Sequence, residues 1–278
     1  MSLTDTTELA PIATPPEENG HAPNDREMTM LEHLEELRQR LTIMALALVG
    51  GVVICWIPIP GLVDASSSSA ELQEAGGWGS ITRFIVSKLI DVATAHGATI
   101  ISLKPGETFF TFLHVSLIVG AAMAMPVIVY ELLAFVTPAL YDNERRYLLV
   151  AVPGVSLSFL TGVLFCYLLM LPFAIRFLAG FGSDLVAPTW SAAYYLEFVT
   201  SFLFWVGLTF ELPIVMYFLS KLGVVSVQRM TSFRKYAFVL AFVIGAIITP
   251  TPDPINQTVI SLPIYLLFEL GIILARFA

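Results

Sequence analysis

Apolar residues run almost without interruption through six stretches of this chain, at 41–57, 108–135, 148–177, 192–219, 236–248 and 255–274. A hydrocarbon core about 30 Å thick needs about 20 apolar residues of helix, so the pattern predicts an all-α membrane protein with six transmembrane helices. Four of the stretches fill that length with ease. The fifth reaches only roughly 20 Å at about 1.5 Å per residue. It is joined to the sixth by nothing more than "TPTPDP", so this last hairpin either thins the bilayer locally or stops short of a full crossing. Prolines stand inside nearly every stretch, at Pro126, Pro153, Pro172, Pro213 and Pro263. Each removes a backbone donor and kinks its helix unless neighbours compensate, which predicts six kinked helices in a curved bundle.

The stretches between are of three kinds. Residues 1–27 are rich in Pro, Thr and Glu with no apolar period and cannot bury enough surface to fold; they read as a disordered cytoplasmic tail ahead of a six-helix transmembrane domain over 28–278. Residues 61–106 open with "SSSS" and "GGWG" and then place Ile81, Phe84, Ile85, Leu89 and Val92 at helical spacing, predicting a surface helix that lies against the outer membrane face or covers the other outer ends. Before the first span, "MLEHLEELRQRLT" sets Leu31, Leu34, Leu37 and Leu41 on one stripe, with Glu32 and Glu36 opposite. Glu36 is spaced to pair with Arg40 at i,i+4.

Composition agrees with the pattern. Hydrophobic residues make up 56% of the chain and charged ones 13%, well below the roughly 25% of soluble domains; the mean hydropathy is +0.80. The formal charge of −8 is mostly the tail's, which holds Asp5, Glu8, Glu17, Glu18, Asp25 and Glu27. The basic residues decide orientation. Arg26, Arg38, Arg40, Arg145, Arg146, Lys221, Arg229, Arg234, Lys235 and Arg276 fall on one side of the predicted topology. Arg83, Lys88, Lys104 and Arg176 fall on the other, three of them in one long loop. Both termini are therefore expected in the cytoplasm. Cys55 and Cys166 sit in apolar runs and read as small buried hydrophobes.

Within this apolar frame a few polar residues need a reason. Glu211, in "FELPIV", lies at bilayer depth, where a charged side chain costs about 2.5–3.5 kcal/mol. Either it is a neutral carboxyl bonded inside the bundle, with the Thr209 carbonyl freed by Pro213 as one acceptor, or it is a polar point on a concave face that meets a substrate, a partner or water. Glu197 falls within about 40° of the same helical face, about 21 Å away along the axis, near the outer interface where water can reach it. Glu131 and Glu269 lie near cytoplasmic helix ends. Glu107 opens the second span, where a negative charge suits the helix dipole. On the cytoplasmic side, "FVTPALYDNERRYL" adds Glu144 beside Arg145 and Arg146; with Glu36 it gives two acidic points flanked by basic ones.

Together these segments resemble the TatC family, the core subunit of the twin-arginine, or Sec-independent, protein translocase. The matching segments are "HLEELRQRL", "FVTPALYDNERRYL", "FELPI", "TPTPDPINQT" and "LFELG", in family order over residues 30–276. The resemblance implies a six-helix, glove-shaped protein of the bacterial inner membrane that receives the twin-arginine signal peptides of folded precursors and works in a multimeric complex with TatA and TatB. It assigns signal recognition to Glu36, Arg38, Glu144, Arg145 and Arg146, a concave-face contact to Glu211, and an outer hairpin pattern to Asp253 and Gln257. No cofactor, metal or nucleic acid is implied. The chemistry agrees, since guanidinium pairs make short bidentate bonds to carboxylates.

Two other classes compete with this reading. A proton-coupled secondary transporter using Glu211 predicts paired half-sequences with interrupted helices at corresponding places, and no internal repeat is visible. An intramembrane hydrolase predicts an HExxH, GxSxG or Walker pattern; none is present, and His33, His96 and His114 are scattered. The chain is not expected to be an enzyme.

Overall fold

Helix α1 (Met30–Trp56) stands at the edge of the molecule and packs against α3 (Glu107–Val136) through a glycine crossing. A Cβ on Gly51 would lie 2.4 Å from the carbonyl oxygen of Gly120, and one on Gly120 would lie 2.6 Å from the amide nitrogen of Val52. Two helices can approach this closely only where both lack side chains. The rest of α1 is left to the surroundings, with Leu34, Leu41, Leu46, Val49 and Val53 all more than half exposed. Large apolar side chains exposed along a helix this long suit lipid rather than water. The structure is a computed structural model and describes residues 30–59, 80–136, 145–181, 183, 187–221, 223–248 and 254–277. The expected disordered tail over 1–27 lies outside these residues.

The chain continues through α2 (Ser80–Ala95), β1 (Thr99–Ile101), α3, α4 (Arg145–Phe165), a π-helical turn (Cys166–Met170), α5 (Leu171–Gly180) and β2 (Thr189–Ser191). It ends with α6 (Ala192–Thr209), α7 (Leu212–Lys221), α8 (Val227–Ser232), α9 (Arg234–Ile248) and α10 (Pro254–Ala275). The molecule is thus mostly helical, as the apolar pattern predicts. Strands β1 and β2 add a short parallel pair, Thr99 opposite Thr189 and Ile101 opposite Ser191, which the apolar pattern does not foretell.

Among the described residues five segments are long and apolar enough to cross a membrane: Leu34–Trp56, Glu107–Leu132, Pro153–Gly180, Ala192–Lys221 and Gln257–Ala275. Helix α9, with 15 residues, is about 22 Å long and falls below that length, in keeping with the short fifth stretch. It packs on α10 through Gly245, whose Cβ position lies 2.2 Å from the Ser261 hydroxyl.

The prolines act unequally. Pro126, Pro153 and Pro263 stand inside helices that continue past them. One lost hydrogen bond does not interrupt a ladder of twenty others. Pro172 and Pro213 do mark irregular turns. Ahead of Pro172 the helix widens to a π-helical turn in which the Leu171 amide donates to the Cys166 carbonyl. At Pro213 the span divides into α6 and α7: the Phe210 amide is shared between the Val206 and Gly207 carbonyls, and the Glu211 amide donates to Leu208 at 3.1 Å.

Helix α2 exists where the sequence predicts it, but a different stripe is buried. Thr82, Val86, Leu89 and Ala93 face the core, while Phe84 is exposed. The Thr82 hydroxyl shares a 2.8 Å hydrogen bond with that of Ser116 on α3, and Tyr195 on α6 donates to the Leu89 carbonyl at 2.6 Å. Helix α2 is therefore part of the main core with α3, α5 and α6. Cys55 and Cys166 are free and fully buried.

Candidate functional site

Three side chains from two helices meet near the start of α1. Arg40 donates from Nε and Nη2 to the same oxygen of Glu36, Oε1, at 3.0 and 2.6 Å. Its third nitrogen, Nη1, reaches across to Oε2 of Glu131 on α3 at 2.9 Å. Helical spacing makes the first contact, since positions 36 and 40 are one turn apart. The glycine crossing makes the second, because it brings α1 close enough to α3 for a guanidinium to span the gap. The Glu131 side chain is 10% exposed, and those of Glu36 and Arg40 are each 21% exposed. Two carboxylates share one guanidinium, which leaves a net charge of −1, and Oε2 of Glu36 is buried with no hydrogen-bond partner among the described residues.

Arg38, two residues from both Glu36 and Arg40, sits on the exposed side of α1, where its Nη2 pairs with Glu35 at 2.7 Å. Of the expected recognition residues, then, Glu36 lies in the cluster and Arg38 on its exposed flank. Glu144 lies outside the described residues, as does Asp253. Arg145 and Arg146 open α4. Met125 and Val129 of α3 pack on Val155 and Phe159 of α4, and only residues 137–144 join the two helices. The pair is antiparallel, so α4 begins at the end of the bundle that holds Glu131.

Glu211 is in a different setting. It is 3% exposed, and neither carboxyl oxygen has a hydrogen-bond partner among the described residues. The backbone of Phe159 faces it without reaching hydrogen-bond geometry. The expected bond to the Thr209 carbonyl is not among its contacts. Instead, the break is held by α4: Ser158 donates to the Phe210 carbonyl at 2.7 Å, and Gly162 makes room for the Phe210 ring, which lies 2.7 Å from where a Cβ would stand. An apolar groove of about 640 Å³ runs beside this region between α2, α3, α4 and α6, lined by Phe84, Val119, Phe159, Val163 and Leu203.

The stripe expected to join Glu197 to Glu211 crosses a helix irregularity, since α6 ends at Thr209. Glu197 is exposed and borders a cavity of about 470 Å³ with Lys104, Glu107 and His114. Glu107 does more there than offset a helix dipole. It accepts from the backbone amides of Leu103 and Lys104 at 2.6 and 2.9 Å, and from the Ala193 amide at 3.0 Å and the Ser191 hydroxyl. One carboxylate so ties the start of α3 to the start of α6. Gln257 bonds within the bundle, donating from Nε2 to the Phe242 carbonyl of α9 at 3.0 Å. Glu269 pairs with Arg234 at 2.7 Å and accepts from Tyr265 at 2.8 Å.

The family profile for "Sec-independent protein translocase protein (TatC)" matches residues 32–263. The chain belongs to the TatC family. It is 37% identical over 253 residues to the TatC of Aquifex aeolicus, covering 90% of this chain and 96% of that one. It is 32% identical to the TatC of Carboxydothermus hydrogenoformans, covering 91% of this chain and 95% of that one. The chloroplastic TATC of Pisum sativum is 33% identical over 92% of this chain and 66% of its own length. A crystal structure of a twin-arginine translocase receptor, TatC, superposes with a TM-score of 0.73 at 35% identity, covering 88% of this chain and 99% of the other. As a TatC protein, the chain is a multi-pass membrane protein of a protein-transport family.

What sequence reasoning missed in this TatC chain is the pairing of Arg40 with Glu131. The two are 91 positions apart, and neither spacing nor composition links them. The available signal was indirect: a glutamate at the end of an apolar helix and an arginine at the start of another, each in want of a counter-charge.

Proposed function

We propose that this protein is the receptor and core component of a twin-arginine translocase, binding twin-arginine signal peptides and assisting the transport of folded precursors across the membrane. The observation that carries the reading is the acidic cluster on α1 and α3, with its net charge of −1 and the unclaimed Glu36 oxygen, in a chain that belongs to the TatC family. A guanidinium is the natural ligand of such a site, because its planar fork makes charge-assisted bonds that an ammonium cannot duplicate. Arg145 and Arg146 open α4 at the same end of the bundle, and with Glu144 they are the proposed remainder of the surface, with Arg38 on its flank. The Lys and Arg bias places that end in the cytoplasm, with six spans and both termini inside.

Glu211 and the neighbouring groove serve a different contact. A buried carboxyl without an internal partner, beside a helix break, suits a polar group on another helix that packs there, and TatA and TatB are the proposed partners. Asp253 and Gln257 shape the hairpin at the far end. Bacterial relatives over nearly their full length support a bacterial inner membrane as the location.

Crosslinking of a twin-arginine precursor tests the reading. Glu144→Ala is expected to abolish the crosslink while the protein still inserts and is recovered from membranes at normal levels. Undiminished crosslinking in that variant would remove Glu144 from the site. As a control on the class of function, the purified protein in proteoliposomes is expected to pass no proton current; a current abolished by Glu211→Gln would favour a carrier.

A further inference from the structure

Cations gather at one corner of the molecule, where α7 and α10 end and α9 begins. Ser220 donates to the Ala275 carbonyl at 3.3 Å, which sets Lys221 beside Arg276. Met230 of α8 is buried with Met216 of α7 and with Ile272 and Ala275 of α10, which holds Arg229, one residue earlier, on the outside of the same corner. Arg234 opens α9 and pairs with Glu269 at 2.7 Å, and Lys235 follows it. Glu269 is the one acid among the described residues from 212 to 277, and Arg234 and Tyr265 take it up. The corner therefore keeps a side-chain charge of +4. Lys221 turns back to the Tyr217 hydroxyl at 3.2 Å. Arg229, Lys235 and Arg276 are exposed and have no ion-pair partner among the described residues.

Apolar surface is interleaved with these charges. Phe233, Tyr236 and Phe277 are 47%, 68% and 80% exposed. From Tyr236 the exposed face runs on along α9 through Val239, Leu240, Val243 and Ile247, positions that share one side of a helix. We propose that this corner binds an anionic phospholipid, its phosphate held by Arg229, Lys235 and Arg276 and an acyl chain laid along the α9 stripe. Open cations at the head of an unbroken apolar stripe complement a molecule with a negative head and a long apolar tail; a soluble anion or an acidic peptide would use the first and leave the second. Aromatic rings among the cations are the usual composition of a helix end at headgroup level. Helix α9, at about 22 Å, is also shorter than the roughly 30 Å hydrocarbon core, which draws headgroups toward the charges at its start. The inference needs only that the chain spans a membrane and does not depend on the signal-peptide reading.

Lipid titration of the full-length protein in detergent tests this, with phosphatidylglycerol and phosphatidylcholine of the same chain length as probes and native mass spectrometry as the readout of bound lipid. The wild-type protein is expected to hold phosphatidylglycerol about tenfold or more tightly than phosphatidylcholine. Arg229→Gln, Lys235→Gln and Arg276→Gln are each expected to weaken phosphatidylglycerol about fivefold and to leave phosphatidylcholine unchanged. Neutralising Arg83, Lys88 and Lys104 together, which removes as many charges from elsewhere in the chain, is expected to leave the preference intact. Glycerol phosphate, the head without its tails, and a polyglutamate peptide are expected not to displace the lipid. Equal retention of the two lipids by the wild-type protein would overturn the proposal, as would single corner variants that elute as monodisperse species and keep the full preference. Loss of the preference in the Arg83, Lys88 and Lys104 variant would also overturn it, by placing the lipid elsewhere. Displacement by glycerol phosphate or by the peptide would make the corner a site for a soluble anion or for another protein, and the lipid assignment would fall.

Discussion

The cluster of Glu36, Arg40 and Glu131 and the isolated Glu211 are two ways of placing carboxylates among apolar helices. In the first, a guanidinium spans two acids and offsets most of their charge, and the group still reaches water through Glu36 and Arg40, each 21% exposed. In the second, a single acid is 3% exposed and has no hydrogen-bond partner among the described residues. A compensated cluster can be part of what holds helices together, since removing one member leaves another charge stranded. A lone buried carboxyl without such a bond among the described residues adds no link of that kind. Under the proposed function, the first site serves both stability and binding, and the second serves binding alone.

The largest expected effect breaks the first site. Arg40→Ala leaves Glu36 and Glu131 facing one another without a counter-charge and should destabilise the protein by about 2–4 kcal/mol, near the range for breaking a buried pair and tempered by partial exposure. Thermal unfolding in detergent checks this; Arg40→Gln combined with Glu131→Gln should be less damaging than Arg40→Ala, because it removes charges together. The next effect acts at a distance. Gly51→Ala drives a Cβ into the Gly120 backbone, which cannot move aside as a side chain could, and should cost about 1–3 kcal/mol while pulling Arg40 away from Glu131. Loss of a crosslink between cysteines placed at 40 and 131 would report the separation. Ser158→Ala, which leaves the Phe210 carbonyl without its 2.7 Å partner, should cost about 1 kcal/mol. The smallest effect is the most telling. Glu211→Gln should leave stability within about 0.5 kcal/mol of wild type, since no internal bond is lost, yet reduce precursor transport. A large loss of stability on that change would mean that Glu211 is bonded inside the bundle after all.

The spans were legible in the sequence because length and hydropathy are local properties. The short fifth stretch was visible as a shortfall, and it became α9. The irregular turns were less so. Nothing in the sequence tells Pro172 and Pro213 apart from Pro126, because the outcome depends on what a neighbouring helix offers; Ser158 and Gly162 on α4 supply it at Phe210. The buried stripe of α2 was misjudged for a related reason. Phe84 and Ile85 look like core residues by hydropathy, but in a membrane protein lipid can cover apolar side chains. The core took Thr82, Val86 and Ala93, small enough to let α2 approach α3 and α6. The strand pair joins residues about ninety positions apart over three residues each, too little for any local pattern. At the candidate site, the i,i+4 pair of Glu36 and Arg40 was readable and the Glu131 contact was not.

The account's central claim is that the end of the bundle bearing Glu36 grips the arginines of another polypeptide. A photoreactive residue at Leu37, which is 39% exposed beside that glutamate, and another at Glu197 in the far cavity put the claim to its most direct test. With a twin-arginine precursor present, crosslinks are expected from position 37, lost when the precursor carries Lys-Lys, and absent from 197. Crosslinks from 197 instead, or crosslinks from 37 that do not distinguish Arg-Arg from Lys-Lys, would contradict it.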